Sequence, residues 1–322
     1  MSAAENVKNW REHKCGRLQT LSIAIPASIL DNAQSKELRF YLVGQIARAA
    51  AIFNCDEIII YDEFCHNVNE DEYAYDKRTR SIAQMAKILQ YLECPQYLRK
   101  YFFPIQKDLE YVGLLNPLDT KHHFRISDNS RFREGVVVEK KVGENVNKGF
   151  ANVGLRNDIK IDRALQPGVR VTVELDIKEG EQKKKLSGKI VSPNTPRVTA
   201  GIYWGYSVRI AKSLSDVFKH SSFDEDYDLT IGTSEKGDDV DSIIDTISSN
   251  YKHALIVFGG LKGIEAAMDS DVKYQNIDSP KEIFNYYLNT CPGQGSNTIR
   301  TEEAILITLS AFRSKLFNFT NK

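Results

Sequence analysis

The part of the chain richest in residues that could bind a ligand is 289–303, with the sequence NTCPGQGSNTIRTEE. It follows an apolar segment of strand type and precedes a helical pattern. It carries two glycines, a proline and several small polar residues. Because glycine permits close approach and positive φ, such a loop exposes backbone N–H and C=O groups to a ligand. Thr301 is placed to cap the following helix.

Two other strand ends have a similar composition, IGTSEKG at 231–237 and VFGGLKG at 257–263. Ligands of open α/β sheets bind outside the carboxyl ends of the strands, so three glycine-bearing strand ends predict a pocket. None of the three matches GxxxxGK[ST] or GxGxxG, and the alternative that they are ordinary turns stays open at this stage.

Metal and nucleophile chemistry are less well supported. His122 and His123, together with Cys65 and His66, have no CxxC or HxxxH spacing, so no metal site is expected. Cys291 lies in the glycine-rich loop, but no histidine is near it in sequence. A packing or backbone role is therefore favoured over a nucleophilic one.

The segments around these loops alternate between strand and helix patterns. Residues 21–27 and 56–62 are apolar runs typical of buried strands, and residues 38–53 carry apolar side chains at helical spacing after a candidate N-cap, Ser35. A second helix is predicted over 82–92. The same alternation returns with strands at 228–232, 254–260 and 283–288, a short helix at 240–248 and a terminal helix at 301–317. This order predicts a parallel α/β sheet.

The middle of the chain has a β-rich texture. Short strands are predicted at 135–139, 169–177, 186–192 and 203–210, which suits a small closed barrel. The sequence therefore predicts an N-terminal tail (1–20), one α/β domain formed by 21–130 and 214–322, and an inserted barrel at 131–213.

Charge is distributed unevenly along the 322 residues. The net charge is zero, yet residues 121–220 hold 20 basic and 11 acidic side chains, giving +9. A basic module between acidic flanks favours a polyanionic partner such as RNA, and the run Lys183, Lys184 and Lys185 is a candidate phosphate contact. No apolar run reaches membrane-spanning length, the charged first 20 residues do not resemble a secretory signal, and the five cysteines are scattered. An intracellular protein with no membrane partner is expected.

Five segments carry a resemblance to a known family: LSIAIPASIL at 21–30, LVGQIARAAAIFNCDEIIIYDE at 42–63, IGTSEKG at 231–237, ALIVFGGLKGIEA at 254–266 and NTCPGQGSNTIRTEEAILI at 289–307. With them the sequence resembles the SPOUT-class methyltransferases, and within that class a eukaryotic and archaeal group of RNA methyltransferases with an OB-like insertion. The resemblance implies a trefoil knot in the C-terminal half. It also implies S-adenosyl-L-methionine as cofactor and a homodimer that completes the active site.

Carried onto this chain, the resemblance assigns the cofactor to three loops. The residues are Thr233, Ser234, Lys236, Gly259, Gly260, Asn289, Thr290, Pro292, Gly293, Gln294, Ser296, Thr298 and Ile299. Lys236 stands where relatives often carry arginine, which keeps the charge but loses the fork geometry. No motif assigns the catalytic groups. The candidates are Arg39 and Arg48, which could orient a phosphate or base, and Glu265 and Glu302, which could act as base.

The sequence thus predicts an S-adenosylmethionine-dependent RNA methyltransferase. Animal members of the group resemble a uridine N3 methyltransferase of large-subunit rRNA, which implies rRNA as substrate and the nucleus, nucleolus or cytoplasm as location. Those members are also linked to the mitotic spindle and kinetochore. The alternative is therefore a scaffold protein that keeps the fold and acts through spindle or kinetochore partners.

Overall fold

A computed structural model describes residues 16–64, 72–142, 145–176, 186–223 and 225–316. Lys183, Lys184 and Lys185, like Cys65 and His66, lie outside the described residues. The chain divides into two compact units. The barrel unit consists of Cys94–Gln106 and Asp119–Trp204 with residues up to Leu18. The sheet unit consists of Gln19–Glu93, Lys107–Leu118 and the described residues from Gly205 onward. The domain boundaries predicted from sequence stay a proposal.

Strands and helices are numbered along the chain. The strands are β1 Thr20–Pro26, β2 Glu57–Tyr61, β3 Phe132–Val142, β4 Asn145–Asn152, β5 Ile159–Ile161, β6 Arg170–Leu175, β7 Ser187–Val191, β8 Ser207–Ala211, β9 Leu229–Asp239, β10 His253–Val257 and β11 Tyr286–Asn289. The helices are α1 Lys36–Ile52, α2 Glu72–Glu93, α3 Gln96–Phe102, α4 Thr195–Ala200, α5 Leu214–Val217, α6 Val240–Ile243, α7 Gly263–Ser270 and α8 Thr301–Leu316.

The sheet unit is built on a six-stranded parallel sheet in the order β11-β9-β10-β1-β2-β8. Every residue of β1 and β2 is buried, as expected for strands covered on both faces. The predicted cap of α1 is confirmed, since the Ser35 side chain accepts a hydrogen bond from the Leu38 N–H at 3.3 Å. The predicted parallel α/β sheet is confirmed; the threading of the chain into a knot stays a prediction.

The pairing of β9 with β11 is interrupted. Tyr287 lies opposite Gly232, but the next residue, Leu288, lies opposite Asp238. Residues 233–237 therefore leave the ladder as an excursion between two paired stretches of the same strand. A segment that the sequence suggests is simply a strand end is in fact a loop held at both ends by the sheet.

The barrel unit contains a closed barrel in the order β3-β4-β5-β7-β6, with β5 and β7 parallel. Its interior is filled by apolar side chains from all five strands or their borders, among them Val137, Ala151, Ile159, Val173 and Ile190. A closed five-stranded barrel is the architecture of the OB fold, so the predicted OB-like barrel is confirmed.

One predicted barrel strand was wrong. The segment 203–210 yields β8, which pairs with β2 in the parallel sheet. The barrel instead uses β4 and β5, which sequence reasoning missed. Asparagines and a glycine make the β4 sequence NVNKGFAN resemble turns, because these residues have low strand propensity.

A buried carboxylate fastens β8 to the sheet. Glu57 on β2 is fully buried and accepts hydrogen bonds from Arg209 Nε at 3.1 Å and Ser22 Oγ at 2.8 Å. The hydroxyls of Ser222 and Tyr227 supply two more, each at 2.5 Å. With four donors, one of them the cationic Arg209, this carboxylate is satisfied despite its burial.

Replacing Arg209 tests this arrangement. Arg209→Met leaves the buried Glu57 carboxylate without its cation, which costs about 3–5 kcal/mol when one partner of a buried pair is removed. Urea unfolding followed by circular dichroism should show a clearly lower midpoint. Lys212→Met, which removes an exposed lysine just beyond β8, is the control. Equal midpoints for the two variants would contradict the account.

Candidate functional site

The three glycine-bearing loops come together. The first interrupts β9, and the other two follow β10 and β11. Because these three strands are neighbours in the sheet, the loops meet at one edge. Residues from 233–236, 258–265 and 289–307, together with Asn32, line a cavity of about 280 Å³, called here the loop hollow. This volume is close to the lower end of the range of ligand pockets, roughly 300–1,000 Å³.

Side chains tie the loops to one another. Thr233 donates from Oγ1 to the carbonyl of Val257 at 3.1 Å, joining the first loop to the end of β10. Asn289 donates from Nδ2 to the carbonyl of Glu235 at 3.2 Å, joining the third loop to the first. These two polar side chains therefore shape the hollow by holding its walls.

A third tie comes from the start of α8. Thr301 donates from Oγ1 to the carbonyl of Gly259 at 3.1 Å, so it joins the third loop to the second. The predicted cap was wrong in detail, because the capping position is Arg300. Its N–H donates to Glu303 Oε2, and its carbonyl accepts from the Glu303 N–H, both at 3.0 Å. The reciprocal arrangement resembles a capping box.

Two glycines in the second loop are required by close packing. A Cβ on Gly259 would lie 2.7 Å from the backbone of Gly263 and Ile264. A Cβ on Gly260 would lie 2.7 Å from Oε2 of Glu63. Because real Cβ atoms do not approach backbone this closely, the position of Gly259 excludes larger residues, whereas a larger residue at position 260 requires the Glu63 carboxyl to move.

Most of the sequence-predicted cofactor residues line the loop hollow. They are Thr233, Ser234, Lys236, Gly259, Gly260, Asn289, Thr290, Gln294, Thr298 and Ile299. Pro292, Gly293 and Ser296 lie outside the lining. Gly293 has a φ of +72°, and a Cβ there would meet nothing within 4 Å. Its conformation, and not a crowded wall, accounts for the glycine at this position.

The four candidate catalytic residues do not share one place. Glu265 lines the loop hollow, where its Oε1 lies 3.4 Å from Nζ of Lys236. Arg48 and Glu302 line a second cavity of about 670 Å³, called here the helix hollow, between α1 and α8. Arg39 is in neither lining.

Arg48 already has partners. Its guanidinium donates to the carbonyls of Pro117 and Leu118, at 3.4 and 2.5 Å. Within the sheet unit this arginine therefore holds the end of the irregular stretch at 107–118. Those hydrogen bonds would have to be given up, at least in part, for Arg48 to contact a substrate.

Sequence reasoning missed a buried acid behind the second loop. Glu63 follows β2, is 6% exposed, and its Oε2 has no hydrogen-bond partner among the described residues. Burial raises the pKa of this carboxyl, and the charges of Asp62 and Asp31 raise it further, whereas Ser28 and Lys262 act in the opposite direction. An acidic pair directly after a buried strand is the signal that could have drawn attention to it.

No group of three or more potential metal ligands occurs within the described ranges. In the same ranges, none of the helices combines the length and apolar character needed to cross a membrane. The lining of the loop hollow consists of backbone groups, small polar and apolar side chains, carboxylates and the cations Lys236, Lys262 and Arg300.

Sequence comparison identifies the family. A family described as "Putative RNA methyltransferase" matches residues 20–312. The chain belongs to this family. Three curated relatives of this RNA methyltransferase carry the name 28S rRNA (uridine-N(3))-methyltransferase. The human protein is 52% identical over 304 residues, an alignment that covers 94% of this chain and 80% of the relative. The mouse protein is 51% identical, with 94% and 78% covered.

The Drosophila melanogaster relative of this RNA methyltransferase is 51% identical over 308 residues. That alignment covers 92% of this chain but 62% of the relative, so the chain spans less than two thirds of the fly protein.

The buried Glu63 carboxyl predicts a pH-dependent stability. Because its folded-state pKa is raised, the folded protein keeps this proton to a higher pH than the unfolded chain does. The contribution of protonated Glu63 to the free energy of unfolding is present at low pH and is lost as the pH rises through the folded-state pKa. Glu63→Gln should therefore be as stable as the parent at pH 5 and more stable at pH 8. Each kcal/mol gained in the free energy of unfolding should raise Tm by about 2–4 °C.

Thermal unfolding at pH 5, 6.5 and 8 measures this difference. Glu235→Gln, which alters an exposed carboxyl of the loop hollow, is the matched control and should show no such trend. A Glu63→Gln effect that is constant with pH, or larger at pH 5, would disprove the prediction.

Proposed function

We propose that this RNA methyltransferase transfers a methyl group from S-adenosylmethionine to N3 of a uridine in large-subunit rRNA. The observation that carries the proposal is the loop hollow, where three tied loops meet at the edge of a parallel sheet. The names of the human, mouse and fly relatives supply the acceptor atom and the class of RNA.

The chemistry of the loop hollow suits S-adenosylmethionine. Ile299 and Ile307 offer apolar walls for a purine, while loop N–H and C=O groups can pair with its edge and with ribose hydroxyls. Lys236 and Lys262 offer cations to a carboxylate. When bound, this cofactor supplies a methyl group on a sulfonium, which is a good leaving group.

The protein's own task is then positioning and proton removal. N3 of uridine must lose its proton, for which a modest base suffices. Glu265 lies in the loop hollow but is engaged with Lys236, whereas Glu302 lines the helix hollow. We therefore favour Glu302 over Glu265 as the base, with the acceptor approaching through the helix hollow.

Activity on rRNA tests the proposal. The purified protein, S-adenosylmethionine and large-subunit rRNA from cells lacking the protein should yield 3-methyluridine, detected by nucleoside mass spectrometry. Ala304→Phe places a ring in the loop hollow, so binding of S-adenosylhomocysteine by calorimetry and methylation should both fall below detection. Ser310→Phe, an exposed position of the same helix, should leave both intact.

Two outcomes would separate the proposal from the scaffold alternative. If rRNA from cells lacking the protein has an unchanged nucleoside profile while mitosis fails, a spindle or kinetochore role is favoured. If Ala304→Phe binds S-adenosylhomocysteine as the parent does, the loop hollow is not the cofactor site.

We also propose that the barrel contacts RNA through the outer face of β3–β5. Phe150 on β4 lies directly opposite Lys160 on β5, and Nζ of Lys140 lies 5.1 Å from the centre of the Phe150 ring. Both lysines are exposed. A half-exposed ring between two cations can stack on a base while the lysines meet phosphates.

Charge reversal tests this surface. Lys140→Glu combined with Lys160→Glu should weaken binding of the rRNA at least tenfold and flatten the dependence of log Kd on log salt, because each lost phosphate contact lowers the slope by about 0.7–0.9. Lys281→Glu, an exposed lysine of the sheet unit, is the control. Filter binding at several salt concentrations decides. An unchanged slope would mean that RNA is read elsewhere.

We further propose a homodimer that uses α1 and α8. The predicted apolar residues of α8 at 305, 309, 312 and 316 are buried within the chain itself. Exposed apolar side chains remain around the helix hollow: Leu38, Tyr41, Ile52 and Leu306 are 41–53% exposed. A second copy related by two-fold symmetry could cover this surface.

Light scattering tests the dimer. The parent should have twice the 36.5 kDa mass of the chain, and Leu38→Glu combined with Leu306→Glu should give the monomer, because charges at an apolar interface are costly to bury. Leu114→Glu, which alters an exposed leucine outside the helix hollow, is the control. A monomeric parent at all concentrations would refute the dimer.

A further inference from the structure

Arg300 stands at the boundary between the two cavities. Of the described residues, Arg300 and Asn32 line both the loop hollow and the helix hollow. Any acceptor that reaches the loop hollow from the helix hollow must pass these two side chains. Arg300 is the cation of the pair, and its position was not singled out by the sequence motifs.

The backbone of Arg300 is fixed while its side chain is not engaged. The N–H donates to Glu303 Oε2, and the carbonyl accepts from the N–H groups of Glu303 and Ala304. Within the described ranges, no carboxylate or carbonyl accepts a hydrogen bond from the guanidinium. The guanidinium of Arg48, by contrast, donates hydrogen bonds to two backbone carbonyls. Arg300 is thus an available donor held at a fixed point of the chain.

The acceptor chemistry needs such a donor. N3 of uracil lies between the carbonyl oxygens O2 and O4, and when N3 loses its proton the negative charge spreads onto both oxygens. A guanidinium presents several N–H donors in one plane and stays charged at any relevant pH. Hydrogen bonds to O2 or O4 would stabilise the anion and so lower the pKa of N3.

We infer that Arg300 is a catalytic residue that donates hydrogen bonds to O4 or O2 of the acceptor uracil and stabilises the N3 anion, an inference that rests on the proposed function. In the step, the N3–H bond breaks and its proton passes to a base or to solvent. The electron pair on N3 forms the new bond to the methyl carbon. That bond replaces the carbon–sulfur bond of the sulfonium, whose electrons remain on sulfur.

The experiment compares Arg300→Ala, Arg300→Lys and the control Arg313→Ala, an exposed arginine of α8 outside both hollows. The substrates are in vitro transcripts of large-subunit rRNA made with uridine or with 5-fluorouridine, whose N3 is more acidic because fluorine withdraws electrons. Methylation rates are measured between pH 6.5 and 9.5. Calorimetry with S-adenosylhomocysteine reports on the loop hollow independently of activity.

Arg300→Ala should lower kcat/KM on the uridine transcript about 100-fold, the scale of losing one donor to a developing anion. Its pH profile should move to higher pH, and most of the loss should disappear with 5-fluorouridine. Arg300→Lys should recover part of the rate, and affinity for S-adenosylhomocysteine should stay within twofold of the parent.

Equal losses of kcat/KM on both transcripts, with an unchanged pH profile, would overturn this role for Arg300. A loss of affinity for S-adenosylhomocysteine would also overturn it, because it would place Arg300 in cofactor binding. Failure of the proposed function is seen separately. In that case the parent protein forms no 3-methyluridine on either transcript, or a different methylated nucleoside, and the inference falls with it.

Discussion

The site depends on a few hydrogen bonds from polar side chains to the backbone carbonyls of neighbouring loops. Thr233, Asn289 and Thr301 each donate such a bond, and together they link the three loops of the adjacent strands β9, β10 and β11. The carbonyl end of a parallel strand leaves unpaired backbone groups, and loops placed there are held only by what they contact. Without these ties, the loops would have no fixed distance from one another and the hollow no fixed shape.

Close packing reinforces the ties. Gly259 lets the second loop approach the backbone of α7 at a distance that no larger residue permits, and Gly260 lets it lie against the buried Glu63 carboxyl. The strand order has the same effect on a larger scale, since β9 between β10 and β11 puts all three loops at one edge. The side-chain hydrogen bonds, the glycine contacts and the strand order thus all shape the loop hollow, and the first residues of α8 form part of its wall.

Charged side chains fall into two groups. Lys140 and Lys160 of the barrel unit are exposed beside Phe150. Buried carboxylates are paired in both units, as Glu57 is with Arg209 in the sheet unit and Glu134 with Arg170 in the barrel unit. Among the described residues, Glu63 is a buried acid whose Oε2 has no hydrogen-bond partner, and it lies against the second loop. Because burial raises its pKa, this carboxyl lowers the stability of the fold at neutral pH.

The sequence by itself determined the parallel sheet, the presence of a barrel and the positions of the three glycine-bearing loops, because apolar runs, helical spacing and clustered glycines are local signals. Only the tertiary structure decided whether β8 pairs with the parallel sheet or with the barrel, because the pattern of a short strand does not name its neighbour. The hydrogen bond from Arg209 on β8 to Glu57 on β2 accompanies the pairing with the sheet. It also separated Arg48 from Arg300. Both arginines line a cavity. The guanidinium of Arg48 donates to the carbonyls of Pro117 and Leu118, which lie about 70 residues further along the chain. No local sequence pattern predicts a contact between residues so far apart.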